Sequence, residues 1–135
     1  MSALVTGAAG FIGSHVTDTL LSRGRTVVGL DSFDNFYSPD SKEQNLAGAK
    51  DHGAFTLVRG DIRDTDALER LPGGIDTIVH LAARAGVRPS IEDPELYTDV
   101  NVMGTSKLLQ WAKSREIGTF VFASSSSART EARRA

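Results

Sequence analysis

Gly7, Gly10 and Gly13 stand at a three-residue interval in TGAAGFIGSHV, where a short apolar run gives way to an amphipathic helical pattern. In that setting the spacing carries chemistry rather than mere loop preference. Gly7 permits a tight turn out of a strand, Gly10 lets backbone approach an anion, and Gly13 lets the helix pack close to the sheet. The N–H groups at the helix start then face a pyrophosphate. Asp31 closes the second apolar run, 18 residues beyond Gly13, near the roughly 20 residues at which an acid meets an adenosine ribose. A carboxylate there accepts from both ribose hydroxyls and repels a 2′-phosphate, so the pattern predicts an NAD site rather than an NADP site. Taken singly, the glycines are loop residues and Asp31 a strand-end turn residue. Loop, helix and acid together point to a dinucleotide.

A second candidate centre is the hydroxyl cluster ASSSS (123–127), which follows the last apolar run. Serine-rich strand ends are common, so the cluster alone carries little. The three histidines are scattered and cysteine is absent, which leaves neither a thiolate metal site nor an imidazole centre to propose. His80, inside an apolar run, reads as a core or strand-end histidine.

Five short apolar runs must position these groups: ALVT (3–6), TVVGLD (26–31), AFTLV (54–58), DTIVHLA (76–82) and TFVFAS (119–124). Their lack of polar alternation suits strands covered on both faces. Ile12, Val16 and Leu20 mark one helical stripe between them; Leu96, Val100, Met103, Leu108 and Trp111 mark a longer one. Gly24 closes the first helix, Leu71-Pro72-Gly73-Gly74 breaks the chain before the fourth strand, and Asp93-Pro94 opens the long helix as N-cap and first-turn proline. The alternation predicts an α/β fold, a doubly wound parallel Rossmann-like sheet of about five strands with helices on both faces. One domain is expected over residues 1–127, followed by a tail at 128–135.

Composition agrees. A chain of 135 residues, 40% hydrophobic and 24% charged, holds one core. Its net charge of −2 gives no basic field for nucleic acid or an anionic membrane. No apolar run is long enough to span a bilayer, and the N-terminus lacks the basic region of a signal peptide. A cytoplasmic protein is expected.

Ala8 stands where the commonest GxGxxG loop has glycine, and TGAAGFIG instead resembles the loop of extended short-chain dehydrogenases/reductases. Three further stretches strengthen the resemblance: GDIRD (60–64), HLAARAGV (80–87) and EDPELYTDVNVMGT (92–105). It covers residues 2 to about 127 and implies bound NAD. Phe11 and Ile12 then join the glycines and Asp31 at the cofactor. Asp61 and Ile62 flank the adenine, although Asp61 also reads as a cap for the short helix after it. Leu81, Ala82 and Ala83 lie under the nicotinamide ribose. Asn101 holds a loop backbone at the site.

DSFDNFYSPDSKEQNLAG (31–48) and AARAGVRPSIEDP (82–94) resemble UDP-glucuronate 4-epimerases and neighbouring nucleotide-sugar 4-epimerases. Members oxidise C4 of the sugar through NAD, turn the keto sugar, and return hydride to its other face. The resemblance places the assisting hydroxyl at Ser125, with Ser124 and Ser126 as neighbours in register, and gives Arg88 an anionic part of the substrate or no partner but solvent. Ser126 and Ser127 stand where sugar 4,6-dehydratases carry Asp-Glu, which favours the epimerases. The family's YxxxK base is not found: four residues after Tyr37 and Tyr97 stand Ser41 and Asn101. The tail ARTEAR can be encoded by codons that give Tyr-Gly-Gly one base earlier, so a frameshift at or just before Ala128 is expected, with negligible epimerase activity. The alternative is a non-catalytic dinucleotide-binding module or a folded relic. With the following helix absent, the long helix and the fifth strand are left to self-association, with a homodimer as the simplest form.

Overall fold

A computed structural model of the chain describes residues 1–125. Ser126, Ser127 and the tail at 128–135 lie outside the described residues. Each apolar run forms a strand: β1 Ser2–Thr6, β2 Thr26–Asp31, β3 Phe55–Arg59, β4 Ile75–His80 and β5 Thr119–Phe122. All pair in parallel, in the order β3-β2-β1-β4-β5. The chain winds outward from β1 to β3, then crosses back to place β4 on the other side of β1. The loops leaving β1 and β4 therefore part at the point where the winding reverses, the crevice in which open α/β sheets bind ligands.

Side chains alternate across the sheet and each face has its own apolar cluster. Leu4, Val28, Leu30 and Ile78 pack with Leu68, Leu108 and Trp111 on one face. Val5 and Val27 pack with Ala8, Leu21, Leu46 and Ala49 on the other. That two-sided burial is why the strands read as unbroken apolar runs.

The helices are α1 Phe11–Ser22, α2 Pro39–Asn45, α3 Ala47–Lys50, α4 Thr65–Glu69, α5 Val87–Glu92, α6 Pro94–Thr98 and α7 Gly104–Ser114. A π-helical turn, Asp99–Met103, joins the last two. Their ends follow the sequence signals. Gly24, at φ +78°, closes α1 by donating to Leu21 O at 2.9 Å. Asp93 accepts from Leu96 N at 3.1 Å, with Pro94 in the first turn. The cap of α4 is Asp64, which accepts from Asp66 N at 2.9 Å; Asp61, weighed for that role, does not fill it.

Two stripe assignments shift. The buried side of α1 is Gly13, Ser14, Thr17 and Leu21, while Ile12 is 63% exposed. Glycine and small polar residues bury because the first turn lies too close to the strand loop for a large side chain. Met103 is exposed and Gly104 buried instead. The wide π turn inserts a residue, so the inward face slips by one position. Trp111 is buried in the core. β5 is an edge strand with Val121 and Phe122 exposed. Among the described residues, no helix is long and apolar enough to cross a membrane.

Candidate functional site

A cavity of about 680 Å³ opens over the ends of β1, β2 and β4, a size suited to a cofactor. Its floor is the glycine loop. Gly7 sits at φ +70°, and a Cβ there would lie 2.9 Å from Ala82 N. A Cβ on Gly13 would lie 2.0 Å from Gly7 O. These two glycines are required by the fold itself. Gly10 differs: at φ −72° its Cβ would meet only Gly7 O, at 3.3 Å. The remaining reason for glycine at 10 is the cavity above it. Ser14 is the first residue of α1 whose N–H finds a helical carbonyl, Gly10 O at 2.9 Å, which leaves the preceding first-turn N–H groups for an anion.

Asp31, buried at the end of β2, lines the cavity beside the glycine loop. Its Oδ2 accepts from Ala9 N at 3.0 Å, and its Oδ1 from Phe33 N at 2.8 Å and Lys42 Nζ at 3.2 Å. Phe33 takes the left-handed conformation at φ 54°, uncommon for an aromatic residue, and the Asp31 bond and the Arg59 guanidinium, 3.9 Å from its ring centroid, hold it there. Helix α2 brings Lys42 inward and ties Asn45 Nδ2 to Ala9 O at 2.9 Å.

Asp61 and Ile62 form the next wall. Burial pushes the Asp61 carboxyl upward, but hydrogen bonds from the Arg63 side chain and backbone outweigh it and hold the group below the usual carboxylate range. The Arg63 fork grips both oxygens, Nη2 at 2.8 Å and Nε at 3.1 Å. Ile62 fills the space left by Gly104, where a Cβ would lie 2.7 Å from Ile62 Cδ1.

The opposite wall, Leu81–Ala85, hangs from side chains distant in sequence. Thr6 Oγ1 accepts from Leu81 N at 3.1 Å and Ala82 N at 3.2 Å. With both lone pairs used, its proton points to His80 Nδ1 at 2.7 Å. His80 then carries its proton on Nε2, facing Thr105 Oγ1 at 2.8 Å, and Thr105 donates to Asn101 O at 2.6 Å. This arrangement needs a neutral imidazole, and burial lowers the His80 pKa to about 4. Asn101, in the π turn, accepts from Arg84 N at 2.8 Å and donates to Arg84 O at 3.1 Å. Tyr97 OH donates to Ala85 O at 2.7 Å. Arg84 reaches back to Asp34 at 2.7 Å, joining the two walls.

A glycine floor open to an anion, a carboxylate at the end of β2 and a framed loop after β4 form a dinucleotide crevice. The profile of the NAD dependent epimerase/dehydratase family matches residues 3–132. The chain belongs to that family. UDP-glucuronate 4-epimerase 1 of Arabidopsis thaliana is 42% identical over 130 residues, 94% of this chain and 30% of that protein. The crystal structure of UDP-glucuronic acid 4-epimerase from Bacillus cereus, in complex with UDP-glucuronic acid and NAD, is 40% identical with a TM-score of 0.86, covering 94% of this chain and 41% of that one. The UDP-glucose 4-epimerase of Thermus thermophilus, in complex with NAD, is 35% identical with a TM-score of 0.77, covering 93% and 38%. The chain thus spans about a third of the curated relatives it matches.

Within this epimerase/dehydratase domain, most residues singled out from sequence converge. Gly7, Gly10, Phe11, Ile12 and Gly13 line the cavity, as do Asp31, Asp61, Ile62, Leu81, Ala82 and Ala83. Asn101 stands behind the wall, with its amide group engaged by the Arg84 backbone, so it positions the loop. Ser125 is exposed beyond β5 and outside the lining, which includes Ala123. Arg88 is exposed on α5, also outside it. Sequence reasoning missed Lys42, Asn45, Arg63 and the Asp34–Arg84 bridge. The three-residue spacing of Lys42 and Asn45 on a polar helix was the available signal for the first pair.

Proposed function

We propose that this chain is the NAD-holding portion of a nucleotide-sugar 4-epimerase of the UDP-glucuronate type. The observation that carries the reading is the single cavity in which the Gly7–Gly13 loop, Asp31 and the Leu81–Ala83 wall meet. Its parts suit the cofactor: backbone N–H groups for pyrophosphate, a carboxylate for ribose, and an open path above Gly10. NAD, when bound, supplies the hydride acceptor and donor. The chain's own residues hold it: Asp31 orients the ribose, Asp61 accepts from the adenine edge, and Asn101 fixes the loop beneath the nicotinamide. Ser125 is the hydroxyl that assists at the sugar.

No YxxxK pair occurs in the 135 residues. Exposed Val102, Met103 and Leu109 on the long helix, with Val121 and Phe122 on β5, support self-association. The deciding experiment is calorimetric titration of the purified chain with NAD and with NADP. Saturable NAD binding with much weaker NADP binding is expected; binding of neither overturns the reading.

A further inference from the structure

A cation lies buried beside the carboxylate that is read as turning away a 2′-phosphate. Lys42 is 8% exposed, lines the cavity, and its Nζ is 3.2 Å from Asp31 Oδ1. Helix α2 delivers it there, and Asn45, one turn further on, anchors that helix to the glycine loop through Ala9 O. The lysine is already ordered and stripped of water, and its ammonium is offset by Asp31.

The charge at the ribose end is therefore that of a pair, not of a bare carboxylate. Asp31 is also the acceptor on which separate donors converge: the N–H groups of Ala9 and Phe33 and the Lys42 ammonium. Without the carboxylate, two backbone N–H groups and a cation would face one space. That donor set is what a phosphate monoester takes.

We infer that Asp31 masks a 2′-phosphate site built around Lys42, and that it alone keeps the cavity selective for NAD over a 2′-phosphorylated dinucleotide. The inference rests on the proposed NAD site and adds a specificity determinant to it. No new cation has to be supplied for the preference to reverse.

The test is calorimetric titration with NAD and with NADP of the whole chain, its Asp31→Ser and Lys42→Met variants, and the double variant. Asp31→Ser should bind NADP at least about tenfold tighter than the unaltered chain does, the scale of a hydrogen bond to a charged group. The double variant should lose that gain. Lys42→Met alone should weaken NADP by a larger factor than NAD. A gain that survives in the double variant, or no gain in an Asp31→Ser variant that still melts cooperatively, overturns the inference while unaltered NAD binding leaves the proposed function standing. If Asp31→Ser does not fold, Lys42→Met decides, and equal loss of both dinucleotides overturns the inference. An unaltered chain that binds neither dinucleotide removes the NAD reading and this inference together.

Discussion

The floor of the cavity and its far wall do similar work by different means. The floor is local. Gly7 N donates to Leu30 O at 2.8 Å, Gly10 N to Gly7 O at 3.1 Å and Ala9 N to Asp31 at 3.0 Å, all within the first β-α-β unit. The wall at Leu81–Ala85 is held from Thr6, Asp34, Tyr97 and Asn101, which lie far from it in the chain. Sterics fix the first region, where only glycine fits at positions 7 and 13. Side-chain hydrogen bonds fix the second, where each bond can be removed without a collision. The floor should therefore fail as a unit, and the wall should slacken bond by bond.

The largest expected effect breaks the floor. Gly13→Ala places a Cβ 2.0 Å from a backbone oxygen, which no rotamer change relieves. Destabilisation of about 3 kcal/mol or more is expected, read as a large fall in Tm or loss of a cooperative melt. Gly10→Ala is the control, because its Cβ has ordinary dihedrals and one mild contact. It should melt near the unaltered chain yet bind NAD markedly more weakly. Equal melting points for the two variants would dissolve the distinction between a glycine the fold needs and one the ligand needs.

Next in size is the acid response of the wall. His80 is neutral in the fold, with burial lowering its pKa to about 4 from an ordinary 6.5. The unfolded chain takes up a proton below 6.5 that the folded chain refuses until about 4. Stability supplied by the neutral imidazole is thus complete above pH 6.5 and declines as pH falls to 4, by roughly 3 kcal/mol at most. Denaturant melts at intervals across that window should show the decline. His80→Gln, which can accept from Thr6 and donate to Thr105, should flatten it. An unchanged slope in that variant would assign the decline to other groups.

The same contrast explains what the sequence made legible. The strands, Gly24, Asp93-Pro94 and the glycine loop were readable because each depends on neighbours a few residues away. Ile12 and Met103 were misplaced because their faces were set by close approach to another loop and by a π turn, neither of which alters apolar spacing. Lys42 was unreadable as a partner of Asp31, since a lysine in SKEQN looks solvated until helix α2 is folded over the loop. Asn101 was counted with the cofactor residues as a holder of loop backbone; its amide bonds the Arg84 backbone, and it does not line the cavity. The Asp34–Arg84 bridge joins positions whose proximity only the switch of winding between β1 and β4 creates.

That bridge offers the smallest effect and the sharpest test of how separate the two regions are. Asn101→Ala removes two bonds to the Arg84 backbone and should destabilise by about 1–2 kcal/mol. Asp34→Ala removes a partly exposed ion pair and should destabilise by less than about 1 kcal/mol. Both act on Arg84, one on its backbone and one on its side chain, so their double variant reports whether anchoring the loop is needed to aim the guanidinium. If it is, the double loss will be smaller than the sum of the single losses, because an unanchored Arg84 has already left Asp34. Strict additivity in chemical denaturation would mean that the bridge forms whatever the state of the wall. The π turn would then hold the loop without aiming the Arg84 guanidinium at Asp34.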